Sequence, residues 1–237
     1  MIVRPPVAPA EQGAWLLRPY GIGTDESPLG FGGMIAVAVT SSVNLRAGAS
    51  YFSYTTTQTV SSVPFDVNVR LQSEQAMLDW YPFSGNFHIS PGIMLGSSNR
   101  AYGGATITAG QSVRLNNVVY YSGSADPVKA SGLLEFAHTA PTITAGWGNW
   151  VRSMERRGGQ RHLMFPFEVG IAFVGTPATT LNFAGVVCTN ASQTSCNNIA
   201  SYAPVQANIQ VERTKLQNDA NWLRCYPIIS GGVVYRF

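Results

Sequence analysis

The sequence predicts an all-β fold. It reads as an up-and-down antiparallel transmembrane β-barrel of ten strands, eight being the second choice, with one helix in the last long loop. Three observations predict it. Only 11% of the 237 residues are charged, against roughly 25% in an ordinary soluble domain, yet mean hydropathy is near zero at +0.05. Apolar side chains recur with a period of two, the spacing at which strand side chains share a face. Short connections alternate with long polar ones, as barrels that cross a bilayer require. A membrane helix is excluded on length, because no run of about 18 apolar residues occurs. The longest charge-free stretch, 169–211, is interrupted throughout by Pro, Asn, Gln, Ser and Thr.

Residues 1–13, "MIVRPPVAPAEQG", read as an N-terminal extension. They lack the apolar core of a signal peptide and read as a mature or trimmed start. Residues 14–237 read as one barrel domain. The ten strands fall near 14–22, 30–39, 43–56, 66–82, 87–97, 128–137, 140–150, 163–174, 178–187 and 225–237. "AWLLRPYGIG" supplies the first. "GMIAVAV" groups Ile35, Val37 and Val39, and "NLRAGASYFSYT" sets Leu45, Ala47, Ala49 and Tyr51 against Arg46, Gly48 and Ser50. The next segment begins with Val67, Val69 and Leu71 in phase, then resumes with Ala76, Leu78 and Trp80 out of phase by one. That slip predicts a bulge near residues 73–75, which would reset the register.

"FHISPGIML" alternates Phe87, Ile89, Ile93 and Leu95 with His88, Ser90, Gly92 and Met94. "SGLLEFA" sets Leu134 and Phe136 against Leu133 and Glu135, "TITAGWGNW" groups Ile143, Ala145 and Trp147, and "TTLNFAGVV" groups Leu181, Phe183 and Val187. "LMFPFEVGIAFVG" is the longest clean alternation. It puts Leu163, Phe165, Phe167, Val169, Ile171 and Phe173 on one face and Glu168 on the other. In "PIISGGVVYRF", Ile229, Val233, Tyr235 and Phe237 oppose Ile228, Val234 and Arg236. Between the last two strands, Val205, Ile209, Leu216, Ala220 and Leu223 recur at three- and four-residue steps, which predicts a helix over 205–222 that caps or enters the barrel mouth.

The apolar faces have two possible neighbours. In a sandwich they would press on each other; in a membrane barrel they would face lipid. The polar faces decide for the barrel. They carry Gly48, Gly92, Gly170, Gly232, Ser50, Ser90 and Ser230, residues small enough for a narrow interior rather than the Lys and Glu of a solvated sheet. The few charges among them, Arg46, Glu135, Glu168 and Arg236, are expected to form an interior ion-pair network, because unpaired buried charges are costly. Trp80, Tyr81, Trp147, Trp150, Tyr226 and Tyr235 lie toward strand ends, where an aromatic girdle would sit.

Cys188 and Cys196 bracket the polar loop "CTNASQTSC" and suit a disulfide in an oxidising compartment; Cys225 stands apart. The net charge of +3 and the absence of a basic stripe with interleaved aromatics argue against nucleic acid as a partner. The one basic cluster, Arg156, Arg157 and Arg161, would suit lipopolysaccharide phosphates if it faces outward, or is a solvated turn. Nothing in the sequence points to a cofactor or metal.

The closing "VVYRF" resembles the terminal signature of bacterial outer-membrane β-barrels, carried here by Val233, Tyr235 and Phe237. "DWYPF", "FHISPG", "GWGN", "FEVGIAFVGTP" and "VERTKLQNDAN" resemble a group of uncharacterised small outer-membrane barrels of proteobacterial type. The resemblance implies the outer membrane of a diderm bacterium, contact with its lipids, and reading of the last strand by the barrel assembly machinery. It implies no activity. The expected function is therefore structural, or that of a narrow or plugged pore, and more readily not an enzyme. Two alternatives stand beside it. One is a lipid-modifying enzyme built on His88, Ser90 and Glu135 or Glu168. The other is a scaffold whose outer loops bind a protein partner.

Overall fold

The computed structural model describes residues 20–60, 63–83, 85–96, 98–151 and 162–237. The predicted extension 1–13 and the first part of the expected strand 14–22 lie outside them. In chain order the strands are β1 (Tyr20–Ser27), β2 (Gly30–Ala38), β3 (Val43–Val60), β4 (Val63–Trp80), β5 (Phe87–Leu95), β6 (Arg100–Thr106), β7 (Ser112–Leu115), β8 (Val118–Ser122) and β9 (Lys129–Glu135). There follow β10 (Ala140–Trp147), β11 (Leu163–Met164), β12 (Phe167–Phe173), β13 (Ala178–Ala184), β14 (Val186–Cys188), β15 (Cys196–Asn198), helix α1 (Ala203–Ala220), β16 (Cys225–Gly231) and β17 (Val234–Arg236).

Among the described residues, eight antiparallel walls close a ring in the order β1–β2–β3–β4–β5–β10–β12–β16, with β11 and β17 extending the last two. The seam is closed by Glu26 against Gly231 and by Gly21 against Arg236. Phe237 donates its backbone N–H to Tyr20 O at 2.9 Å, and the two rings stack at 4.5 Å. Both ends of the described chain thus meet at one end of the barrel, the terminus end.

The ring has eight members and not ten because β5 pairs directly with β10, and β12 directly with β16. The segments 128–137 and 178–187, read as wall strands, form β9 and β13 instead. They pair with each other, and β9 pairs also with β6, beyond the barrel at its loop end. One face of this pair carries Lys129, Ser131, Thr180, Asn182 and Glu135, as a solvated sheet would.

The predicted bulge in β4 is absent. β3 and β4 pair without a break from Val43–Trp80 to Val60–Val63. The change of hydrophobic phase instead marks where the strand leaves the barrel. Below it, Leu78 and Trp80 point outward while Ser73, Met77 and Asp79 are buried inside. Above it, β4 pairs with β6, and Leu71 joins Leu29, Met94, Phe136, Val174 and Tyr226 around a small cavity over the lumen. Gln72 and Glu74 occupy the outward phase at this rim and are exposed.

The apolar faces look outward. Ile22, Ile35, Leu45, Leu78, Ile143, Val169, Ile171 and Ile229 are each 41–57% exposed. Aromatic rings border this belt: Tyr20, Trp80, Trp147, Phe167, Tyr235 and Phe237 at the terminus end, Phe31, Tyr51 and Phe173 at the other. Along β11 and β12 the outward apolar run from Leu163 to Phe173 extends ~33 Å at ~3.3 Å per residue, or ~25 Å in height at a tilt of ~40°. Three of the six girdle aromatics named from the sequence do not belong to it. Tyr81 and Trp150 are buried, and Tyr226 packs on the apolar layer at the loop end. They lie on the inward phase and fill the interior.

The loop end carries a second lobe. Strands β7, β8, β14 and β15 form a small sheet, whose Cys188–Cys196 disulfide joins directly paired residues of β14 and β15. Its core of Val63, Ile107, Leu115, Tyr120, Val128, Val187 and Ile199 includes Val205 and Ile209 of α1. The helix therefore does not enter the barrel mouth. It lies along the outer edge of β13, where Gln217 Oε1 accepts from Thr179 N at 3.2 Å and Arg213 Nε donates to Leu181 O at 2.6 Å. Two side chains one turn apart stand in for a neighbouring strand, which covers an edge open to strand pairing.

Candidate functional site: a buried charge cluster in the lumen

The interior of the ring is layered. At the loop end Leu29, Met94, Ala140, Ala172, Val174 and Ile228 form one apolar cluster. On the terminus side Met34, Ala36, Ala38, Trp150, Val151 and Val234 form another. Between them sits a charged cluster whose members come from β3, β4, β5, β10 and β12, because their inward phases converge.

Arg46 is its centre and is 1% exposed. Its Nη2 donates to Asp79 Oδ1 at 2.9 Å and its Nη1 to Glu168 Oε1 at 2.5 Å. The guanidinium lies 4.7 Å from the centre of the Trp150 ring. Glu168 also accepts from His88 Nε2 at 3.1 Å, Thr144 Oγ1 at 3.0 Å and Trp150 Nε1 at 3.4 Å. Asp79 accepts from Ser90 Oγ at 2.7 Å. His88 is oriented at its other nitrogen, 3.4 Å from Asn86 O, and tilts against the Tyr81 ring at 5.4 Å. Low-dielectric surroundings strengthen every such bond and penalise any unmade one.

One glycine makes this possible. Gly146 lies in register between His88 on β5 and Glu168 on β12. A Cβ there would overlap Phe167 O and sit 2.6 Å from Glu168 Cγ and 3.0 Å from His88 Nε2. Gly146→Ala is expected to separate the pair and cost about 1–3 kcal/mol, the penalty of an unmet buried polar group. The check is a lower urea midpoint in lipid. Gly33→Ala, where the added Cβ meets nothing nearer than Gly23 O at 4.0 Å, should stay within about 0.5 kcal/mol.

Of the four residues expected to form an interior network, the structure brings two together, Arg46 and Glu168. Arg236 is buried at the terminus end, where its Nη1 donates to Asn149 O at 3.4 Å. Glu135 is not in the lumen. It ends β9, outside the ring, and is exposed. The alternation that placed it inside is that of the loop-end sheet. Val233, Tyr235 and Phe237 are 42–46% exposed on the outer face. Arg156, Arg157 and Arg161 lie outside the described residues. The residues that flank them, Val151 and His162, belong to the terminus end, where His162 accepts from Arg236 N through its carbonyl at 2.8 Å.

Sequence reasoning passed over Asp79 and Asp25 as interior charges. Asp79 shares the inward phase of Met77, Gln75 and Ser73, a signal hidden by the expected bulge. Asp25 lies between the segments 14–22 and 30–39 read as the first two strands; it is 4% exposed and bonded to Ser230. His88 and Ser90 sit side by side inside as their phase requires, but Ser90 bonds Asp79 rather than His88.

No protein-family model matches the chain, and no curated protein matches it. Among solved structures the chain is similar to CarO of Acinetobacter baumannii, with a TM-score of 0.57 and 17% identity over 94% of this chain and 99% of that one. It is similar also to CarO2 of the same organism, with a TM-score of 0.57 and 15% identity over 92% and 98%. At such identities the likeness is one of fold.

Proposed function

We propose that the chain is an integral outer-membrane β-barrel whose lumen is sealed, so that it acts as a membrane anchor for the lobe at its loop end rather than as an open pore. The observation that carries this reading is the Arg46–Asp79–Glu168 cluster. Its members are 0–3% exposed and lie between two apolar layers, as in small barrels whose interiors are packed with side chains. The outward belt with aromatic borders supports the membrane assignment. The fold shared with CarO agrees with it. We further propose that Val233, Tyr235 and Phe237, aligned on the outer face of the closing strand, are what an assembly machinery would meet.

Acyl-transfer chemistry is less well supported. A serine nucleophile needs its base within hydrogen-bond reach, whereas Ser90 Oγ is engaged by Asp79 at 2.7 Å, and both Ser90 and His88 are 0% exposed. The test combines three measurements. The protein should fractionate with the outer membrane and show heat-modifiable mobility on gels. In planar bilayers it should give no sustained conductance above the empty membrane. Stable channels would overturn the sealed reading. Solubility without detergent would overturn the barrel-in-membrane reading. A change in lipid acylation on His88→Ala, with mobility preserved, would favour the enzyme.

A further inference from the structure

A cavity of about 720 Å³ lies in the loop-end lobe, between the sheet of β4, β6, β9 and β13 and the roof formed by β7 and α1. Its size falls within the range of small-ligand sites, roughly 300–1,000 Å³. The floor is flat because Gly103 of β6 and Gly132 of β9 are direct register partners, with Ala105 and Ala130 paired beside them. The walls are Phe65 on one side and Leu181 and Phe183 on the other. The space is therefore a slot about two strands wide, ~10 Å at 4.7–4.9 Å per strand, with aromatic flanks.

Two charged residues border it, Glu212, which is half-buried, and Arg114, which is exposed on β7. Their electrostatic positions differ. Glu212 Oε1 already accepts from Asn116 N at 2.7 Å and from Lys215 Nζ at 3.0 Å, and these bonds hold its carboxyl below the usual range. Arg114 belongs to none of the ion pairs among the described residues. The uncompensated charge of the lining is thus one guanidinium, a group whose planar fork matches a carboxylate.

We propose that this slot binds a small apolar monocarboxylate, its flat or linear hydrocarbon body on the glycine floor between Phe65 and Phe183 and its carboxylate on Arg114. The site is separate from the lumen cluster, and its occupancy does not depend on whether the barrel conducts.

The test uses the whole protein in lipid nanodiscs, with empty nanodiscs as the blank, and follows the fluorescence polarisation of 2-naphthoate. Naphthylmethylamine and naphthylmethanol serve as cationic and neutral probes of matched body. The naphthoate should bind about tenfold or more tighter than the amine, which is a difference of roughly 1.4 kcal/mol. Arg114→Gln should erase that preference and Arg114→Lys should restore part of it. Gly132→Leu should weaken all three probes, since a Cβ at Gly132 meets nothing nearer than Thr180 O at 3.8 Å and the larger side chain projects into the slot. Equal affinity for the three head groups, no binding of naphthoate, or binding unchanged in both Arg114→Gln and Gly132→Leu would overturn the proposal. If a variant loses heat-modifiable mobility, the head-group series on the unaltered protein still decides.

Discussion

Arg46→Leu is expected to destabilise the barrel by about 3–5 kcal/mol, the range for a buried ion pair deprived of one partner. Two carboxylates, on β4 and β12, face this single guanidinium across the lumen, and each is 3% exposed or less. Without Arg46 both remain in a closed interior, where they must take up protons, draw in water or part. The cost is therefore not that of one contact but of two stranded acids. Urea unfolding in lipid vesicles, followed by the heat-modifiable band, reads the loss. The triple change Arg46→Met, Asp79→Asn and Glu168→Gln should recover most of it, because uncharged groups of similar volume carry no such desolvation penalty. Arg46→Lys should fall between, keeping charge but losing the fork that reaches both acids at once. A loss under about 1 kcal/mol for Arg46→Leu would mean that the apolar layers, not the charges, hold the eight walls in place.

The same cluster shows what a sequence of this kind discloses. Strand phase was legible wherever one face meets a uniform medium. Phe167, Val169, Ile171 and Phe173 repeat without error because all four face outward at 41–53% exposure. Phase fixes inside against outside, so Arg46, His88, Ser90 and Glu168 were placed inward by parity alone. Distance across the lumen is a property of ring size and shear, which no local pattern encodes. Hence the pairing of Glu168 with both Arg46 and His88 had to come from the structure.

The errors share one cause, the protrusion of the sheet beyond the barrel. Strands β3 and β4 run for 18 residues each and pass from one surrounding to another along their length. In β4 the apolar phase inverts on leaving the barrel, which mimics a bulge. At the same end β9 and β13 alternate as wall strands do, yet their apolar faces press on Val63, Ile107 and their neighbours. Leu181 and Phe183 fit either role, and only their partners distinguish the two. The charges at Lys129 and Glu135, on the face opposite Leu134, were the available sign that this pair is solvated on one side.

Val169→Arg is the sharpest probe of what surrounds the outer face. Val169 sits in the middle of β12, in register with Ala145 and Ile229, and is 47% exposed. Around it lie other outward apolar residues, and the aromatic borders begin at Phe167 on one side and Phe173 on the other. If hydrocarbon covers this position, an arginine must be dragged into it or must bend toward the headgroups, at about 2–4 kcal/mol near the midplane of a barrel wall. If water covers it, exposed substitutions of this kind stay within about 0.5 kcal/mol. Thr180→Arg supplies the internal standard, since Thr180 is exposed on the polar face of β13 in the loop-end lobe, where both surroundings predict little change. The expected result is a lowered urea midpoint and slower appearance of the heat-modifiable form for Val169→Arg alone. Equal behaviour of the two variants would place water on both surfaces, and the outward belt of Ile35, Leu78, Ile143 and Ile229 would then need a protein partner rather than lipid to cover it.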